Sequence, residues 1–293
     1  MPVIRPSAVP APALVLLGII SVQLGAGFAK RLFDELPPSA VVTLRLATST
    51  IVLVLISRPL LRAGARAWRR SDLAVASAFG LTLATMNFAI YESFSRIPLG
   101  IAVTIEFLGP LGVAVAFSRR WLDLLWVALA AAGVGLLMQG DSGSVTPAGV
   151  GFALLAAAAW AGYILLSAET GRRFPGPSGL GIASVVATLV VLPVGVSAGG
   201  ADLLRPDLLL IGAAIGLLSS VIPYSFELEA LRRMPAKVFG ILMSLEPVAA
   251  ALVGLVVLGE VLDAREWTAI GCVVVACLGA TRFQEAPREA PEA

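Results

Sequence analysis

Apolar residues in this chain come in long unbroken runs rather than in alternation with polar ones. Runs of near-spanning length fall at about 12–30, 39–57, 72–91, 98–117, 122–139, 148–168, 179–198, 207–226, 236–258 and 264–281. A helix climbs about 1.5 Å per residue, so about 20 apolar residues carry it across roughly 30 Å of hydrocarbon. Inside lipid only helices and closed barrels satisfy every backbone N–H and C=O internally. Barrel strands are short and alternate in polarity, and these runs are too long and too continuously apolar for that. The pattern predicts an all-α integral membrane protein with ten transmembrane helices.

The few polar residues in and beside these runs repeat at a spacing of 137 residues. Arg96, Pro98 and Pro110 recur without a gap as Arg233, Pro235 and Pro247. The same offset pairs Glu92 with Glu229, Gly25 with Gly162, Gln23 with Trp160 and Asp123 with Glu260. Each half then holds five spans, an odd number, so the second half enters the membrane upside down. The expected architecture is a 5+5 inverted repeat, with residues 12–139 as the first unit (helices 1–5) and 148–281 as the second (helices 6–10). Between them GDSGSVTP, residues 140–147, carries turn chemistry and is the expected hinge. Residues 282–293 are short and polar and are expected to form a disordered cytoplasmic tail. Inverted repeats of hydrophobic segments mark secondary transporters, whose substrate site lies near the bilayer midplane between the halves.

Charge orients the bundle. With the N-terminus in the cytoplasm, the inside segments hold fifteen of the 21 lysines and arginines, the outside segments five, and Arg45 lies within a span. The positive-inside rule then puts both termini in the cytoplasm. Only Arg5 precedes the first apolar run, which is long enough to span and so is expected to stay as helix 1 rather than be cleaved as a signal. The chain is 58% hydrophobic and 14% charged, with mean hydropathy +0.93. Soluble domains hold roughly 45–50% apolar and about 25% charged residues, so the solvent here is a lipid bilayer.

Composition also narrows the chemistry. The net charge is +2 and there is no basic stripe, which argues against a nucleic-acid partner. There is no histidine, which removes the commonest metal ligand and the usual near-neutral proton shuttle. Cys272 and Cys277, five apart, fall on different faces of one helix and fit core packing, so no metal site, disulfide or cofactor is expected. No Ser/His/Asp or Cys/His arrangement, P-loop or dinucleotide fingerprint supports an enzyme. No filter-like loop or ring of like charges supports a channel. A scaffold or sensor that moves nothing is a further reading, against which the paired midplane glutamates argue.

Intramembrane ionisable groups are rare and cost roughly 2.5–3.5 kcal/mol each at a helix centre. Glu106 in span 4 and Glu246 in span 9 sit near mid-depth. Arg45 in span 2 lies about a turn and a half below the outer surface, from which it can snorkel outward. Two readings stay open for the glutamates: a structural pair between helices, or lining residues that contact substrate or carry a coupling proton. Lys30, Glu92, Glu227 and Glu229 lie near span ends, where solvation or a local ion pair accounts for them. Three prolines act on the backbone. Lacking an N–H, Pro110 frees the carbonyl of Glu106, Pro247 that of Met243 and Pro223 that of Ser219. By the repeat, positions 106 and 243 match, so each half exposes an acceptor at the same depth, or else a kink that a neighbouring helix satisfies. Gln23, Asn87, Tyr91, Trp160, Tyr163 and Tyr224 complete the set able to line a cavity. Tyr91 and Tyr224 also suit an interfacial position. Spans 5 and 10 carry almost nothing polar at mid-depth and are expected at the periphery.

Over nearly its whole length the chain resembles the drug/metabolite transporter superfamily with two EamA-type repeats. Within it, the chain looks most like the bacterial inner-membrane threonine/homoserine exporters. The stretches that carry the likeness are GAGFAKRLF (25–33), TLRLA (43–47), MNFAIYESFSRIPLGIAVTIEFLGPLGVAVAFSRR (86–120), IPYSFELEALRRMPAKVFGILMSLEP (222–247) and LGE (258–260). The resemblance implies efflux of a small amphoteric metabolite, an amino acid such as threonine or homoserine, across the bacterial inner membrane, driven by protons. It carries Lys30, Arg45, Glu106, Pro110, Met243, Glu246 and Pro247 as the matched residues. Relatives that export drugs, nucleosides or sulfur metabolites keep a broader substrate range open, and a homodimer stays open as an assembly.

Overall fold

A computed structural model describes residues 9–64, 68–118, 120–121, 123–139 and 145–282. Residues 140–144 of the expected hinge and the tail after Arg282 lie outside the described residues. Ten helical spans succeed one another: α1 (Ala11–Arg31), α2 (Pro38–Gly64), α3 (Arg70–Phe94), α4 (Leu99–Ala116), α5 (Asp123–Leu137), α6 (Pro147–Arg173), α7 (Ser178–Gly199), α8 (Pro206–Leu231), α9 (Ala236–Met243, Glu246–Val253 and on to Leu258) and α10 (Ala264–Arg282). Among the described residues, nine spans are long and apolar enough to cross a membrane, and α5 is the short one at 15 residues. Among the described residues there is no strand.

Proline marks many helix starts, because at the first turn its missing N–H costs nothing. Pro12, Pro38, Pro147 and Pro206 lie in first turns, and Pro98 and Pro235 stand just before α4 and α9. Thr146 caps α6 by accepting the Gly149 N–H at 3.1 Å. Asp263 and Glu266 cap α10 reciprocally: the Glu266 N–H donates to Asp263 Oδ1 at 2.7 Å, and the Asp263 N–H to Glu266 Oε2 at 2.8 Å.

The repeat is visible in the packing. The contact of α3 with α6 has its mate in α1 with α8, and α4 with α6 has its mate in α1 with α9. The pairs α2–α7, α4–α9 and α5–α10 each join a helix to its own counterpart. Detail repeats too. A Cβ added at Gly25 would lie 2.2 Å from Ser219 Oγ, and one added at Gly162 would lie 3.2 Å from Thr82 Cγ2. Both members of these two contacts are 137 residues apart. Arg96 pairs with Glu92 one turn back in α3, and Arg233 with Glu229 one turn back in α8. These are the local ion pairs that the positions of Glu92 and Glu229 suggest.

The two broken helices are the third sign. In α4 the ladder stops at Glu106 and resumes at Leu108; in α9 it stops at Met243 and resumes at Glu246. The breaks fall at matching positions, three or four residues before Pro110 and Pro247, where proline removes a helix donor. Small residues let the halves close around them. Gly109 faces the Ala157 carbonyl of α6, and Gly100 faces the Ala251 backbone of α9, with no room for a side chain in either place.

Candidate functional site

One chamber of about 200 Å3 is lined by residues of both halves of the chain. Its walls come from α1, α2, α3, α4, α6, α8 and α9. α1 contributes Gln23, α2 Arg45, and α3 Asn87 and Tyr91. α4 contributes Glu106, the last residue before its break, and α6 Trp160 and Tyr163. α8 contributes Tyr224, and α9 Met243 and Glu246 on either side of its break. The structure thus brings together every side chain singled out in the spans for a possible lining role. Pro223 and Pro247 lie outside the wall and act on the backbone, and Pro110 lines a neighbouring cavity. Tyr91 is buried at 1% exposure, so it is a wall residue and not an interfacial anchor.

Arg45 turns inward instead of snorkelling out. Its guanidinium lies over the Tyr91 ring, 5.4 Å from the centroid, and Nη2 donates to the Ser219 carbonyl at 3.4 Å. That carbonyl is the one Pro223 deprives of a helix donor. The ladder widens to a π turn over Leu217–Val221, and the exposed acceptors go to side chains: Ser219 O to Arg45, and Leu218 O to Ser21 Oγ at 2.7 Å. A ring face and a free carbonyl are what a desolvated cation lacks in lipid, and both lie inward. None of the ion pairs among the described residues involves Arg45.

Glu246 faces the chamber from the far side. Its Oε1 accepts Gln23 Nε2 at 2.9 Å, and its Oε2 has no partner. Among the described residues, five buried polar atoms in the chamber wall lack a hydrogen bond: Gln23 Oε1, Arg45 Nε, Tyr91 Oη, Ser219 Oγ and Glu246 Oε2. Folded proteins satisfy about 90% or more of their buried polar groups with protein or water, so five such atoms around one space make a polar wall that water or a polar ligand would have to satisfy. The arrangement is dipolar, with the guanidinium of Arg45 on α2 and three carboxyls, Glu106, Glu227 and Glu246, on α4, α8 and α9.

Aromatic contacts fix the rest of the wall. Trp160 meets Phe107 edge-on at 5.0 Å, and Tyr163 meets Phe79 at 5.0 Å. Asn87 Nδ2 donates to the Leu83 carbonyl of its own helix at 2.8 Å.

Two polar wall residues escape a reading of the sequence: Ser219 and Glu227. Pro223 draws notice to the carbonyl of Ser219 but not to its hydroxyl. Glu227 is set at a span end by the apolar run, which stops at 226, whereas the helix continues to Leu231. A usable signal exists in Tyr224, since residues three apart share a helix face.

A second cavity of about 280 Å3 adjoins the first and shares Trp160, Glu227 and Met243 with it. It runs toward the face where both ends of the described chain lie, past Phe239 and Gly240 near the start of α9 and Ala280 and Thr281 near the end of α10. So α10, expected at the periphery, does line a cavity. On the opposite face the bundle is clasped. Lys30 Nζ of α1 pairs with Glu260 Oε1 at 2.6 Å and donates to the Ile97 carbonyl at 2.7 Å. Glu260 Oε2 accepts the Leu99 N–H at the start of α4 at 2.8 Å. One ion pair thereby ties α1, the start of α4 and the end of α9, and its members lie 230 residues apart in sequence rather than one turn apart.

Known proteins share this plan. Residues 147–282 match the EamA-like transporter family. The chain is 39% identical to the threonine/homoserine exporter RhtA of Salmonella typhimurium (strain SL1344) over 273 residues, 92% of this chain and 91% of that protein. It is 38% identical to the exporter of the same name from Escherichia coli (strain K12), over 92% of this chain and 90% of that one. An uncharacterized inner membrane transporter of Escherichia coli, YedA, is 28% identical over 67% of each chain. A solved crystal structure of a protein superposes with a TM-score of 0.59, covering 93% of this chain and 99% of that chain at 18% identity, which shows the same fold. With ten apolar helices, two broken at matching positions around a polar chamber, and with these relatives, the chain belongs to the EamA-like transporter family.

Proposed function

We propose that this chain exports small amino acids, threonine and homoserine foremost, from the bacterial cytoplasm by alternating access and at the expense of the proton gradient. The observation that carries the reading is the dipolar chamber with its five orphan polar atoms. A zwitterion needs a donor fork for its carboxylate and an acceptor for its ammonium. Arg45 supplies the first, and Glu246 Oε2 with Glu106 the second. Ser219 Oγ, Tyr91 Oη and Gln23 Oε1 remain for a side-chain hydroxyl. At about 200 Å3 the polar chamber is smaller than the 300–1,000 Å3 of drug-sized pockets, which favours a small metabolite. The two exporters named above support the choice of amino acid.

The excess of Lys and Arg on one side orients the bundle with both termini in the cytoplasm. The second cavity then opens the chamber toward the cytoplasm, and the Lys30–Glu260 clasp closes the outside. Alternating access requires this asymmetry, and the inverted repeat supplies the means to reverse it. Glu106 and Glu246 are the carboxyls available to take a proton when substrate leaves.

One observation favours a second reading. Phe107, Trp160, Phe239 and Met243 all line the second cavity, and such a surface suits a broader set of apolar compounds. Efflux of labelled threonine and homoserine from cells producing the chain separates the two. The amino-acid reading predicts faster efflux that a protonophore abolishes and that apolar toxins do not slow. Unchanged amino-acid efflux from cells with the protein in the membrane, together with raised resistance to apolar compounds, would replace it with the broader exporter.

A further inference from the structure

Glu227 stands where the two cavities meet. It lines both, together with Trp160 and Met243, and is half-buried. Among the described residues its carboxyl makes no hydrogen bond and no ion pair, although Arg232 and Arg233 sit on the same helix. Those arginines pair with Glu229 instead, two residues on, because Glu229 points to the rim and Glu227 to the interior. Packing does not account for Glu227 either: the glycine opposite it in α1, Gly18, would bring an added Cβ no nearer than 3.8 Å to its Cγ. A carboxyl without a partner at the junction of a polar chamber and a vestibule has no structural task.

Its surroundings suit proton movement better than substrate binding. Tyr224 faces it from its own helix, Tyr163 and Trp160 from α6, and Glu246 and Met243 from α9. The cation of the chamber, Arg45, and the other carboxyl, Glu106, stand on α2 and α4. In the vestibule Glu227 is the one ionisable side chain apart from Cys277 among the described lining residues. The vestibule volume of about 280 Å3 admits water up to Glu227 from the cytoplasmic side.

We propose that Glu227 carries the coupling proton between the midplane carboxyls and the cytoplasm. This rests on the proton-coupled reading above. With the chamber open to the cytoplasm, the O–H bond of protonated Glu246 breaks and its proton passes, directly or along water, to the Glu227 carboxylate. The new O–H bond on Glu227 then breaks to water in the vestibule. Glu246 is left as a carboxylate ready for the substrate ammonium, and one proton has entered for each such step.

The test uses the full chain in proteoliposomes, with labelled threonine and an internal pH dye. Threonine counterflow requires substrate binding and access on both sides but no net proton movement, whereas uphill accumulation driven by a pH gradient requires both. Glu227→Gln is expected to keep counterflow within about twofold and to lose proton-driven accumulation by about tenfold or more, with Glu227→Asp restoring much of it. Normal proton-driven accumulation in Glu227→Gln would overturn the proposal. Loss of counterflow along with coupling, in a variant that elutes as folded protein, would overturn it in favour of a substrate contact. If the wild type exchanges threonine but moves no proton, the coupling reading itself fails, and this proposal falls with it.

Discussion

Glu246→Gln is expected to bring threonine efflux down by roughly 30-fold or more while the protein still reaches the membrane. Removing one partner of a buried charge pair costs about 2–5 kcal/mol, and each 1.4 kcal/mol is a factor of ten. The ammonium of a bound amino acid would be that partner. The glutamine keeps the shape of the side chain and can still meet Gln23, which donates to Glu246 Oε1 at 2.9 Å. Folding should therefore survive, and efflux from membranes with matched protein levels reads the effect. Unchanged efflux would make Glu246 a structural link between α1 and α9.

Arg45 gives the second large effect, and stability separates its possible roles. A cation held for structure destabilises the protein when removed. A cation held for substrate is a cost to the empty protein, because burying a charge with one weak 3.4 Å hydrogen bond and a ring face does not repay its desolvation. Arg45→Gln is therefore expected to abolish efflux and leave the melting temperature in detergent unchanged or higher. Arg45→Lys keeps the charge but loses the two-pronged geometry, so it should retain partial transport with a raised KM. A clear fall in melting temperature for Arg45→Gln would assign the residue to the fold.

Much of this architecture is legible in the chain, and individual residues show where legibility stops. The ten spans come from run length alone. The broken helices come from Pro110 and Pro247 and from their 137-residue spacing. The grouping of Gln23, Arg45, Glu106, Trp160 and Glu246 comes from polarity, because lipid leaves a polar side chain few places except the interior. Direction is another matter. Whether Arg45 points out or in depends on Ser219, 174 residues away, and on a π turn that periodicity does not report. An extra residue in that turn rotates the remainder of α8 by about 100°, which also hides the inward face of Glu227. The Lys30–Glu260 clasp is invisible for a related reason. Each partner has a local explanation at a span end, and only the fold joins them.

The measurement closest to the central claim asks whether the chamber reads both charges of a zwitterion. In proteoliposomes, labelled threonine counterflow is measured in competition with unlabelled homoserine, with the amino alcohol of threonine, which lacks the carboxylate, and with the corresponding dihydroxy acid, which lacks the ammonium. If Arg45 and the Glu106–Glu246 side hold opposite ends of the substrate, homoserine competes fully and the two singly charged analogues compete at least about tenfold more weakly, since a charge-assisted contact contributes roughly 1.5–3 kcal/mol. Equal competition by all three compounds would mean that the dipolar chamber does not select the substrate.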